Sequence, residues 1–235
     1  MDASEIYDPE FRKLAHEKKP TAIIPVGSLE QHGAHLPITT DSDIVTEIAS
    51  RLAKKCDFIV FPTVSYGISF EHSPLVNISI QSRNLRGFLG DIVEQLYHSC
   101  EIIFLNGHHG NVESLNKMRK TMNRGYLEPY GLAPVRCYSY WHFMKHEFDH
   151  AGFVETSLML AISDKVKMKK AKKGFTTKGL SENEIQRINK LSTEQGGFPK
   201  VAKNGVWGDP TGATKKDGEK FLAEIVKNLA KECQS

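Results

Sequence analysis

Glu30, His32, His35 and Asp41 fall within twelve residues, and His108 and His109 sit in a second polar segment, Asn106-Gly-His-His-Gly-Asn111. Carboxylates and imidazoles together are ligands for Zn²⁺, Mn²⁺ or Fe²⁺. In an extended segment alternate residues share a face, so Glu30 and His32 can point together while Gln31 turns away. Two roles are open to Asp41. It could cap the helix that begins there, or bridge two ions through its two oxygens, as in sites whose ions lie about 3.5 to 4 Å apart and activate one water. A third cluster runs Asp149-His-Ala-Gly-Phe-Val-Glu155, with His150 and Glu155 either side of a turn. That pair suits delivery of a proton to a leaving nitrogen; Glu155 could equally complete a metal shell or favour a helix start. His142 and His146, with no such support around them, read as surface residues.

Strands and helices alternate in a way that would bring these clusters together. Short apolar runs predict strands over 21–27, 57–62, 101–106 and 134–139. Helical periodicity predicts helices over 41–55, where Ile44, Ile48 and Leu52 recur every four residues, and over 84–100 and 111–125. Further helices are expected near 154–163, 182–191 and 214–232, while 172–180 and 196–201 read as loops. The pattern is that of an α/β fold, a mostly parallel sheet with helices on both faces. No composition break divides it, so residues 1–235 are expected to form a single domain. Ligand sites in such sheets lie beyond the carboxyl ends of the strands. The loops after the first and third strands carry the two clusters above, and Ser65-Tyr-Gly-Ile-Ser-Phe-Glu-His72, after the second, should reach the same edge. The segment Asn204-Gly-Val-Trp-Gly-Asp-Pro-Thr-Gly-Ala213 is glycine-rich enough to approach a ligand, with Trp207 as a pocket wall. It fits neither nucleotide-binding glycine fingerprint, which disfavours a kinase or an NAD enzyme.

Composition excludes other classes. Of 235 residues 40% are hydrophobic and 25% charged, the balance of a globular domain, and a net charge of +3 is small and argues neither for a nucleic-acid scaffold nor for a membrane-surface protein. The lysine-rich run 165–173 lacks interleaved aromatics for base stacking and reads as solvated. No apolar run approaches the roughly 18 to 20 residues that span a bilayer. Met1-Asp-Ala-Ser-Glu-Ile-Tyr has no basic stretch leading into an apolar one, so no signal peptide is expected. Cys56, Cys100, Cys137 and Cys233 are widely spaced and read as thiols in a reducing cytoplasm.

Taken in order, Gly27-Ser-Leu-Glu-Gln-His-Gly-Ala-His-Leu-Pro37 with Thr40-Asp41, Gly67-Ile-Ser-Phe-Glu-His72, Asn106-Gly-His-His-Gly-Asn111, His150-Ala-Gly-Phe-Val-Glu-Thr-Ser157 and Gly205-Val-Trp-Gly-Asp-Pro-Thr211 resemble the creatininase family over about residues 21–225. The resemblance implies a three-layer α/β/α domain, two divalent metal ions (Zn, Fe or Mn), homo-oligomers from dimer to hexamer, and hydrolysis of carbon–nitrogen bonds in small non-peptide amides. By motif, Glu30, Asp41 and His108 would hold one ion, and His32 with a shared Asp41 the other. His150 or Glu155 would handle the leaving-group proton. Ser69, Glu71, His72, His109, Trp207 and Asp209 are the candidate substrate contacts.

Two departures bear on substrate. Creatininase proper carries a glutamate ligand where this chain has Gly110, so Glu155 becomes the candidate for closing the second shell. The family's F-P-G-T-I-S segment is altered to Ser73-Pro-Leu-Val-Asn-Ile-Ser79, in a loop expected to line the pocket. The favoured expectation is an amidohydrolase or deformylase similar to the archaeal enzymes that release formate from a formylaminopyrimidine ribotide, with Arg83, Arg86 or Lys203 available for the phosphate. Creatinine hydrolysis is second and peptide-end trimming third. A metal-binding protein without turnover is the reading from another class, disfavoured because all four primary ligand positions are filled.

Overall fold

In a computed structural model describing residues 1–234, four strands form one parallel sheet. They are β1 (Thr21–Val26), β2 (Ile59–Val60), β3 (Glu101–Asn106) and β4 (Arg136–Ser139), in the order β2-β1-β3-β4. The central pair, β1 and β3, runs in register from Thr21 against Glu101 to Val26 against Asn106. Both are buried apolar runs, as a parallel strand covered on two faces must be.

Alternation along the strands divides the core in two. Ile23, Ile103 and Leu105 point to one face, where they pack with Ile44, Ile48 and Leu52 of α2 (Thr40–Cys56), Leu158 of α5 (Phe153–Ile162), and Leu222, Ile225 and Leu229 of α8 (Lys215–Cys233). Ala22, Ile24, Val26, Ile102 and Phe104 point to the other, against Leu85, Leu89 and Val93 of α3 (Ser82–Leu96) and Leu115 and Met118 of α4 (Val112–Met122). The expected α/β fold with helices on both faces is therefore present.

Three details differ from the sequence expectation. The second strand shrinks from 57–62 to Ile59–Val60, because Asp57 takes a left-handed conformation (φ 56°) as the C-cap of α2. Residues 8–18 form a helix, α1 (Asp8–Lys18), that hydrophobic periodicity does not reveal, since none of its residues is buried. Its start is fixed locally instead, by Pro9 in the first turn and a hydrogen bond from the Tyr7 N–H to Glu10 Oε2 (3.1 Å). Finally, between α6 (Glu182–Thr193) and α8, residues 196–201 contain a short helix, α7 (Phe198–Val201), where a loop was expected. No helix among the described residues is long and apolar enough to cross a membrane.

Candidate metal centre

All strands being parallel, their carboxyl ends share one edge, and the polar loops open there. Two asparagines tie the loops together. Asn111 donates from its amide to the Gly27 carbonyl (2.9 Å) and accepts from the Ile68 N–H (3.0 Å), joining the loops after β1, β2 and β3. Asn106 accepts from the His108 N–H (3.1 Å) and donates to Ser139 at the end of β4 (3.1 Å). The loops are held by fully buried polar groups rather than by apolar packing, which makes their geometry demanding to distort.

Within this frame Glu30, His32, Asp41, His108 and Glu155 converge, each less than a twentieth exposed. Asp41, in the first turn of α2, turns Oδ1 to His32 Nε2 (3.1 Å) and Oδ2 to His108 Nδ1 (3.1 Å). His108 Nε2 lies 3.2 Å from Glu30 Oε2, and His32 Nε2 lies 3.5 Å from Glu155 Oε2. The other nitrogen of each imidazole faces a backbone carbonyl: His32 Nδ1 meets Glu30 O at 3.1 Å, and His108 Nε2 meets Ile68 O at 2.7 Å. An N–H donated to a carbonyl leaves the opposite nitrogen as a lone pair, which is how proteins prepare a histidine ligand. Those opposite nitrogens, His32 Nε2 and His108 Nδ1, are the ones beside Asp41.

Electrostatics agree with a site built for cations. Burial by itself would depress His32, but Asp41, Glu155 and Glu30 push it up to about 10. Burial likewise opposes a rise at His108, yet Glu30, Asp41 and Glu71 carry it well above the ordinary imidazole value. Asp41 stays far below the usual carboxylate range despite burial, held by His32 and His108, while burial raises Glu155 to about 8. Glu155 Oε1 is buried without a hydrogen bond, and Glu30 Oε1 and Asp41 Oδ2 have near them only imidazole nitrogens, His72 Nε2 at 3.0 Å and His108 Nδ1 at 3.1 Å, whose alignment makes no hydrogen bond. Orphaned buried oxygens of this kind are costly and call for an explanation. Divalent cations provide one, and the oxygen and nitrogen donors fit them: Glu30, Asp41 and His108 form one ligand group, and His32, His150 and Glu155 another.

A cavity of about 330 Å³ opens onto all of these except His32, also lined by Glu71, His72, His109, Phe148, Asp149 and Trp207 and by Asn189, Ser192, Thr193 and Phe198 of the α6–α7 region. Of the expected substrate contacts, Glu71, His72, His109 and Trp207 are therefore on its wall. Ser69 is fully buried and is not part of that lining. Asp209 caps the turn Pro210–Gly212, accepting from the Thr211 N–H (3.1 Å) and hydroxyl (2.6 Å), and does not line the cavity either. His35 is bound to Thr156 (2.9 Å), and burial drops it to about 4. His142 and His146 are exposed, as expected.

The segment 73–79 also departs from expectation. Instead of lining the cavity it pairs with the ligand-bearing loop, through Gln31 N–H to Val76 O (2.7 Å) and Ile78 N–H to Leu29 O (2.8 Å). Sequence reading gave no role to Phe198, whose ring lies 4.5 Å from His72 and 4.8 Å from His150. It stands in a stretch with no chemical signature, and only the fold brings it near.

A parallel α/β sheet with carboxylates and imidazoles converging at its carboxyl edge is the architecture of a metal-dependent hydrolase. The creatininase family (creatinine amidohydrolase) matches residues 4–233, and the chain belongs to that family of metal-dependent amidohydrolases. It is 34% identical over 223 residues to the mycofactocin precursor peptide peptidase of Mycolicibacterium smegmatis, covering 92% of this chain and 85% of that one. It is 27% identical over 168 residues to the creatinine amidohydrolase of Pseudomonas putida, covering 60% and 63%. Among solved structures, a creatininase variant of Zn-Zn type superposes with a TM-score of 0.81 at 22% identity, covering 98% of this chain and 96% of that one.

The Gly110 departure has a steric basis. A Cβ at residue 110 would run into the Ile68 carbonyl oxygen and stand 2.6 Å from His108 Nε2 and 2.9 Å from Glu71 Oε1. Gly110→Glu is therefore expected to displace His108 and lower metal content and turnover together, rather than restore a ligand. A variant that binds two ions and gains creatinine hydrolysis would show that this loop yields.

Proposed function

We propose that the protein hydrolyses an amide carbon–nitrogen bond of a small neutral or cationic substrate, using two divalent ions that share Asp41. The observation that carries this reading is Asp41 itself, with one oxygen toward His32 and the other toward His108, residues from two different loops. Glu30, Asp41 and His108 would hold one ion, and His32, Asp41 and Glu155 the other. Held there, they would supply Lewis acidity toward the scissile carbonyl and a water acidic enough to serve as nucleophile near neutral pH. The chain's own part is to fix the substrate against them and to stabilise the leaving nitrogen, toward which His150 on the cavity wall can turn a ring N–H. Phe198 and Trp207 bound the cavity with apolar surface that limits water at the reacting bond.

Charge argues about substrate. Among the described residues no lysine or arginine lines the cavity, whereas Glu71 and Asp149 do. Arg83 and Lys203 are exposed, and Arg86 is turned to the Ser82 hydroxyl (2.6 Å), so none of the three supports recognition of a phosphate there. That moves a phosphorylated formylaminopyrimidine below an uncharged or amine-bearing amide. The mycobacterial relatives, named as peptidases, make the end of a short peptide the first such class to try.

The test is a hydrolysis panel on the metal-loaded protein: short peptides with free termini, simple formamides, creatinine, and one formamide with and without a phosphate. Turnover is expected among the uncharged or cationic compounds, with the phosphorylated formamide the poorer of its pair. Faster cleavage of the phosphorylated member would overturn the charge argument.

A further inference from the structure

Four buried or nearly buried imidazoles, His32, His72, His108 and His150, gather around Glu30 and Asp41, and their hydrogen-bond partners sort them into two kinds. His32 and His108 each face a backbone carbonyl with the nitrogen turned from Asp41. His72 and His150 face a side-chain amide instead. Gln31 Nε2 lies 2.9 Å from His72 Nδ1 and 3.0 Å from His150 Nε2. Which end of that amide is nitrogen is settled by its other end, because Gln31 Oε1 accepts the Gly33 N–H at 3.0 Å. A Cβ on residue 205 would collide with that same oxygen, so Gly205 lets the backbone close over it.

An amide nitrogen has two hydrogens and no acceptor capacity. Here it meets two imidazole nitrogens, and both must present lone pairs. Neutral His72 then carries its hydrogen on Nε2, which faces Glu30 Oε1 at 3.0 Å, and neutral His150 carries its hydrogen on Nδ1, 3.8 Å from the same oxygen. One contact competes: His150 Nε2 is also 3.1 Å from the Gln31 carbonyl oxygen. A hydrogen placed there to reach the carbonyl would confront the amide hydrogen, donor against donor, at 3.0 Å.

We infer that Gln31 is a positioning residue that sets the tautomers of His72 and His150, so that each turns an N–H toward Glu30 and neither offers a lone pair to an ion. Geometry alone would admit His150 as a ligand twice, beside His32 and Glu155 and in a third group with Glu30 and His72. The Gln31 amide closes both options and confines the ions to the carboxylates and the two carbonyl-bound histidines. It also keeps the hydrogen of neutral His150 on the nitrogen away from Gln31, where the ring can act as a hydrogen-bond donor. The same extended alternation that points Glu30 and His32 at Asp41 does turn Gln31 the other way, but into this second pair of histidines rather than into solvent. The inference about ligands rests on the two-ion reading; the tautomers do not.

The experiment is a two-bond ¹H–¹⁵N correlation spectrum of the full-length protein labelled with ¹⁵N-histidine, metal-free and zinc-loaded, with bound zinc counted in parallel. His72→Gln and His150→Gln spectra assign the signals. The expected wild-type result is hydrogen on Nε2 of His72 and on Nδ1 of His150. Gln31→Glu, close to isosteric but able only to accept at both oxygens, is expected to reverse both tautomers. Its kcat should then fall about 100-fold, the scale seen when one positioned hydrogen-bond donor is lost from an active site, with KM little changed. Hydrogen on Nε2 of His150 in the wild-type protein, or unchanged tautomers in Gln31→Glu, would overturn the inference. Failure of the wild-type protein to take up zinc would sink the two-ion reading instead, and the metal-free spectrum would still decide the tautomers.

Discussion

Alanine in place of Asp41 is expected to leave a folded protein that retains neither ion and hydrolyses substrate no faster than background. Most ligands serve one ion, but this carboxylate faces both His32 and His108 at 3.1 Å. Removing it opens both shells at once. Loss of a mere supporting partner behind a ligand costs about 10- to 100-fold in metal affinity, and a shared ligand should cost more than that at each ion. Folding has less at stake. Asp41 sits at the start of α2, where a carboxylate and the helix dipole interact by only about 0.3 to 1 kcal/mol when exposed, and its burial among other carboxylates offsets part of that. Metal content after dialysis, together with the thermal midpoint, checks both statements. Two ions retained by Asp41→Ala would refute the shared-ligand geometry.

Glu155→Gln is expected to separate the ions. Glu155 Oε2 accepts the Ala151 N–H at 2.6 Å and lies 3.5 Å from His32 Nε2, while Oε1 has no hydrogen bond. A glutamine carbonyl can still take the Ala151 N–H, which holds a left-handed turn (φ 53°) immediately before α5. The fold should therefore survive, while the neutral amide holds the second ion poorly. Metal titration should show one tight site and one weakened site, and turnover should drop by about 10²- to 10³-fold, the scale seen when one stabilising group is lost from an active site. Glu155→Ala should be worse for folding, because a buried N–H left unpaired costs about 1–3 kcal/mol. Equal affinity for both ions in Glu155→Gln would remove Glu155 from the ligand set.

What the sequence disclosed and what it withheld follow from range. Strands β1 and β3 were legible because burial on two faces demands unbroken apolar runs, and α2 because Ile44, Ile48 and Leu52 mark one stripe. Glu30, His32, Asp41 and His108 were legible as a group because their residue types have few other reasons to gather at two strand ends. Helix α1 was not, since a helix with no buried face leaves no periodic trace. Nor was the wall formed by Asn189, Ser192, Thr193 and Phe198, ordinary residues far along the chain whose placement depends on how α6 and α7 dock. Gln31 is the instructive intermediate case. Its direction followed from strand alternation, but its occupation, between two histidines 41 and 119 positions away, did not.

That division of the cavity has an evolutionary side. One part is owned by loops that Asn106 and Asn111 lash to the sheet edge, and the other by α6, a mostly solvated helix whose buried part among the described residues is Ser192. Substitutions in the first part would disturb several strand ends together. Substitutions along α6 would reshape the chamber at little cost to the core. A fold divided this way can exchange one amide for another while its reaction stays the same, so that kinship reveals chemistry more readily than diet.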